Sequence, residues 1–167
     1  MELIINGMYQ GYYGLMERVD FKTFNADKNN DLFIKISTWQ SNVPDPSTNH
    51  DISFEDVHEP VKDVCLIDEF EVDNCTQQNF SEIFKVLKEL HAMPDSSIAV
   101  DYESFAAHEL FIGLTCANDN TYKNQRVLAK FVNGSWKLYK SNWDNDLCFT
   151  NYDLNNYVPS IDLSVPE

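Results

Sequence analysis

Glycine is scarce in this chain, five in 167 residues, and none of the five builds a phosphate-cradling Gly-rich loop or a GxSxG nucleophile elbow. The usual sequence signatures of P-loop nucleotide chemistry and of serine hydrolysis are therefore missing. Cysteine pairs are missing too: Cys65, Cys75, Cys116 and Cys148 contain no CxxC, and the closest two are ten positions apart. Such scattered cysteines read as small buried hydrophobes. His50, His58, His91 and His108 have no second histidine or cysteine at i+3 or i+4, and His108-Glu109 lacks the second histidine of a zinc-protease helix, so no metal is expected. A run of about 18 apolar residues is absent, as is a basic leader before an apolar stretch, which predicts no membrane span, no signal peptide and a cytoplasmic location. Positive charge is the last shortage, with 12 Lys and Arg against 27 Asp and Glu, a formal −15. That exceeds the ~2–8 units that keep a small domain soluble. It disfavours nucleic acid and anionic membrane as partners and favours a basic protein.

What the chain does have is core material. Hydrophobic residues make up 43% and aromatics 13%, far from the composition of an acidic disordered chain, and the length suits one domain, residues 1–167. Leu32 to Trp39 alternates as a strand, with Leu32, Ile34 and Ile36 on one side. Asn79, with Glu82 three residues on, opens a helix over 80–92 in which Phe80, Ile83, Phe84, Val86, Leu87 and Leu90 follow helical spacing until Pro94. Ile98 to Val100 suits a short strand. Ser104 to Leu114 carries both helical and strand signals. Residues 126–139 spell a β-hairpin: two alternating runs flank Asn133-Gly134, a type I′ turn pair. Residues 150–167 hold acids, Pro159 and Pro166 without a base, and predict a loosely docked tail. The expected fold is α+β: one domain, a mostly antiparallel sheet of about five strands, and one long helix packed on it.

Motifs for chemistry are few. Asp27-Lys28-Asn29-Asn30-Asp31 imitates the start of a calcium loop, but Leu32 replaces the required glycine and Thr38 the bidentate carboxylate, which leaves an Asx-rich turn. Cys116 with His108 lacks a third orienting residue. No catalytic residue and no cofactor are expected on this reading. The acidic stretch Asp51 to Asp73 has nine acids and one base, interleaved with apolar residues that dock it onto a core. Its Glu55, Asp56, Glu59, Asp63, Asp68, Glu69, Glu71 and Asp73, with the Trp143, Asp144 and Asp146 cluster, form the expected partner-binding surface. Lys123, Arg126, Lys130, Lys137 and Lys140 gather five bases into a segment without an acid.

In size, acidity and lack of catalytic motifs the chain resembles the immunity proteins that bacteria carry beside polymorphic and contact-dependent toxins. The resemblance implies a non-enzymatic inhibitor that occludes the groove of a basic nuclease toxin. A DNA-mimicking anti-restriction inhibitor is a close variant. The hairpin Phe-Val-Asn-Gly-Ser-Trp-Lys-Leu-Tyr also looks like the terminal hairpin of nuclear-transport-factor-2-like cone-shaped barrels, and that resemblance implies a pocket with Asp101 and His108 in it.

Overall fold

The computed structural model describes residues 2–12, 20–37, 43–48, 52–59, 63–93, 95–117, 119–145 and 148. The tail expected over 150–167 lies outside them. The first hairpin, β1 (Glu2–Ile5) and β2 (Met8–Tyr12), is a two-stranded sheet closed by Asn6 and Gly7, both at positive φ. All other strands join one open sheet: β3 (Leu32–Ile36), β4 (His58–Glu59), β5 (Val64–Ile67), β6 (Phe70–Asp73), β7 (Ala99–Val100), β8 (Gln125–Val132) and β9 (Ser135–Asn142), in spatial order β4-β5-β6-β3-β8-β9-β7. Every pairing is antiparallel except β7 with β9. The α+β expectation holds, with seven strands where about five were read. The cone-shaped barrel does not: among the described residues β4 and β7 are the two edges of an open sheet.

Alternation along the strands sorts the sheet into two faces. Leu32, Ile34, Cys65, Ile67, Phe70, Val72, Val127, Ala129 and Leu138 bury one face against α2 (Phe80–His91). That helix contributes Phe80, Ile83, Val86, Leu87 and Leu90, five buried side chains at about 1.5–3 kcal/mol each. Its start departs from the capping box read in the sequence. The Asn79 side chain turns backwards, accepting from Thr76 N at 2.7 Å and donating to Asn74 O at 2.9 Å, so it closes the preceding turn instead of the helix.

The ambiguous segment is a full helix, α3 (Tyr102–Thr115). Asp101 caps it by accepting from Ser104 N at 3.0 Å, and the helix then runs through Phe111-Ile112-Gly113-Leu114 until Cys116 ends it in the left-handed region at φ 52°. It packs on β9. Two cysteines also depart from expectation: Cys65 and Cys75, both fully buried, are bridged with Cα atoms 5.5 Å apart, clamping β5 to the end of β6, while Cys116 and Cys148 are free. The Asp27–Asp31 stretch is the Asx-rich turn expected, with Asp27 Oδ1 accepting from Asn29 N at 2.9 Å and Asp31 Oδ2 from Asp27 N at 2.8 Å. Among the described residues no helix is long and apolar enough to cross a membrane.

Candidate functional site

The second face of the sheet is half polar. On it Phe33 and Leu128 pack with Phe21, and Lys35 pairs with Glu71 from neighbouring β6 at 2.8 Å. In register Lys35 stands opposite Arg126 of β8, whose guanidinium lies 5.1 Å from the centre of the Phe33 ring and 4.4 Å from that of Trp143. Thus a lysine on β3 reaches, through one arginine, the loop that follows β9.

That loop meets a second one. Between α3 and β8 lies α4 (Asp119–Tyr122), followed by Lys123 and Asn124, the latter at φ 55°. Because β8 and β9 pair in register from Gln125↔Asn142 outward, Asn124 and Trp143 are brought face to face at the open end of the hairpin, and Trp143 N donates to Asn124 O at 3.0 Å. Asn120, 1% exposed, ties the two loops: its Nδ2 donates to Asn124 O at 2.9 Å, Trp143 O at 2.6 Å and Asn145 Oδ1 at 3.3 Å. Gln125 Nε2 closes the back of α4 on Asn120 O at 2.6 Å. Asn124 Nδ2 donates to Asp119 Oδ2 at 2.6 Å, and Lys123 Nζ lies 3.2 Å from the same oxygen. Asp144, at φ 56°, stands exposed on the second loop.

The sequence Asp119-x-x-x-x-Asn124, then a β-hairpin, then an acidic Asp144 loop is the order of parts by which protein kinases arrange a base, a metal-binding amide and a metal-binding carboxylate. The donor chemistry agrees. Asp119, Asn124 and Asp144 offer carboxylate and amide oxygens, the hard donors that Mg²⁺ takes, and with Nδ2 of Asn124 engaged by Asp119 its Oδ1 is left to ligate. The two loops thus bring carboxylate and amide oxygens to the open end of the hairpin. A model of the CotH kinase protein family matches residues 1–160, and the chain belongs to that family. No curated protein and no solved structure matches it. The family membership overturns the reading as a toxin immunity protein or anti-restriction mimic, along with the inhibitor function and the expectation that the chain is not an enzyme. Acidity and missing Gly-rich motifs describe many proteins, and they carried that resemblance without a single site residue.

The residues expected to bind a basic partner lie on several elements. Glu55 and Asp56 are exposed on α1 (Phe54–Val57), where Asp56 Oδ2 accepts from Ser53 N at 3.0 Å and its carboxyl is held low by the Ser53 hydrogen bonds. Glu59 lies on the edge strand β4. Asp63 and Asp68 occupy opposite ends of β5, both at positive φ, and Glu69 follows in the β5–β6 turn. Burial, then the Asp68 charge, pushes the Glu69 carboxyl up. Glu71 is held by Lys35, and Asp73 is on the same strand. Trp143 and Asp144 belong to the loop described above; Asp146 lies outside the described residues. The basic segment is likewise matched by groups from elsewhere: Lys137 by Asp101 at 2.8 Å, Lys140 by Glu109 at 3.4 Å, and Lys130 by the carbonyls of Phe24 and Asn25 at 3.2 and 3.3 Å.

Asp101 and His108 do not meet as a pocket pair. Asp101 is the α3 cap and the partner of Lys137, and the Lys137 bond holds its carboxyl below the usual range. His108, 2% exposed, packs beside α4, and neither ring nitrogen makes a hydrogen bond of normal geometry, although Asn142 and the Asn120 backbone are close enough to favour its charged form. Burial, and then the Lys140 charge, pulls its pKa from 6.5 down to about 4. A histidine held neutral in the fold takes its proton first in the unfolded chain, so stability is lost as pH falls from 6.5 towards 4. Melting temperatures measured across that window should decline more steeply for the native chain than for His108→Phe; parallel slopes would remove His108 as the cause.

Proposed function

We propose that the chain is a kinase-type phosphotransferase, moving the γ-phosphoryl group of a nucleoside triphosphate onto a hydroxyl acceptor. The observation that supports it most is the hydrogen-bonded junction of the Asp119–Asn124 loop with the Trp143–Asp144 loop at the open end of the β8–β9 hairpin. Asp119 accepts the proton of the acceptor hydroxyl as its oxygen attacks the γ-phosphorus; the bond from that phosphorus to the bridging oxygen breaks, and the nucleoside diphosphate leaves. Asn124 and Asp144 are the residues that would hold a divalent cation, which when bound neutralises phosphate charge. Lys35, fixed by Glu71 on the same end of the sheet, pairs with the phosphates. Asn120 keeps the two loops at one spacing and is a positioning residue. The Cys65–Cys75 bridge suits an oxidising compartment better than the cytoplasm.

The test is label transfer from γ-labelled ATP and Mg²⁺ to the chain itself and to Ser-, Thr- and Tyr-containing protein acceptors. Labelling that Lys35→Met lowers by about 10²-fold supports the reading. Failure of the native chain either to bind nucleotide or to transfer label would sink it.

A further inference from the structure

Far from the two loops in sequence, three elements bring metal-ligating atoms to one point. Asp45 lies in the Pro44-Asp45-Pro46 loop, Asp68 in the turn between β5 and β6, and His91 at the last position of α2. One ligand atom from each lies within 4.8 Å of the others. We infer that Asp45, Asp68 and His91 form a binding site for a divalent transition-metal ion, a clip that joins the loop, the turn and the helix end.

Three observations support it. The His91 Nδ1 to Asp68 Oδ2 distance is 3.7 Å, too long for a hydrogen bond and suited to two ligands of a shared ion. The Asp68 side chain is only 11% exposed, yet among the described residues this is its one polar partner, an arrangement that burial of a carboxylate does not otherwise favour. Finally, neither Asp45 nor Asp68 has a Lys or Arg partner among the described residues, and Glu69 adds a third carboxylate beside them. Three carboxylates therefore gather negative charge at one place. Asp45 is also preset, since its Oδ1 accepts from Ser47 N at 2.7 Å.

The donor set selects the ion. Imidazole suits Zn²⁺ and its first-row neighbours, whereas Mg²⁺ and Ca²⁺ prefer oxygen alone. The histidine therefore separates this site from the all-oxygen pair of Asn124 and Asp144.

The experiment is a Zn²⁺ titration against a chromophoric chelator in millimolar Mg²⁺, run on the native chain, Asp45→Asn, Asp68→Asn, His91→Gln and Asp144→Asn, with circular dichroism to verify folding. One equivalent should bind the native chain and Asp144→Asn alike, and each of the other three should bind about 100-fold more weakly. Should Asp68→Asn fail to fold, the half-buried Asp45 and the exposed His91 still decide the matter. No zinc equivalent, or one that survives Asp45→Asn and His91→Gln, overturns the site. Zinc lost only in Asp144→Asn would also overturn it and would assign the ion to the phosphoryl-transfer loops.

Discussion

Replacing Asp144 by Asn should lower phosphoryl transfer by about 10²–10³-fold, the usual loss when one preorganised charge partner of a transition state is removed. The fold should hardly notice. Asp144 is exposed and sits at φ 56°, a left-handed conformation that Asn tolerates as well as Asp. The two effects separate cleanly, because the substitution removes one negative charge from the loop after β9 and leaves the Trp143 N to Asn124 O bond in place. Initial rates at saturating nucleotide, with melting temperature beside them, are the measurement. Asp119→Asn should behave alike at the other loop. A transfer rate unchanged in both would remove these carboxylates from the chemistry.

The largest stability effect is expected at Phe70. It opens β6, is 1% exposed, and is among the largest wholly buried side chains, packed with the strands and α2. Phe70→Ala removes most of a ring and leaves a cavity that flanking Ile67 and Val72, both on paired strands, are poorly placed to fill, so a cost of about 3–5 kcal/mol follows. In a chain of this size each kcal/mol lowers the melting temperature by about 2–4 °C. Leu110→Ala on the exposed side of α3, where Leu110 is 59% exposed, serves as the control and should stay within about 0.5 kcal/mol. Equal shifts in the two variants would contradict the core described here.

The elements with strong local signals were legible in the chain. Asn133-Gly134 demands positive φ twice, and the hairpin around it formed with one residue more at its start and three more at its end. The α2 periodicity was equally plain. What local reading missed was decided between elements. Phe111 to Thr115 has strand-like composition, but the Asp101 cap begins a helix upstream and the chain continues it. The strand read at Ile98 to Val100 is there as β7, but its parallel pairing with β9 is not visible in two residues. Cys65 and Cys75 meet only because β5 and β6 turn back on each other.

The site was harder still. Asp119 and Asn124 sit in a stretch of Asn, Asp and Thr that reads as turn chemistry, and only the pairing of β8 with β9 brings it to Trp143 and Asp144. Trp143 and Asp144 were singled out in the sequence, but for their charge and aromatic character as a docking surface. The described acids of 55–73 are spread over a helix, an edge strand, turns and the Lys35 pair.

The hairpin that joins the two loops is also a ruler. Its strands run eight residues each, about 26 Å at 3.3 Å per residue, from Asn133-Gly134 at one end to the Asn124–Trp143 contact at the other. The turn sets which residues face one another, and a shift of one residue there would carry Asp144 past Asn124 and turn the inward side of β9 outward. The spacing of the two loops is therefore measured out from a turn that touches neither of them, and the glycine at φ 84° in that turn belongs to their geometry as much as any residue they contain.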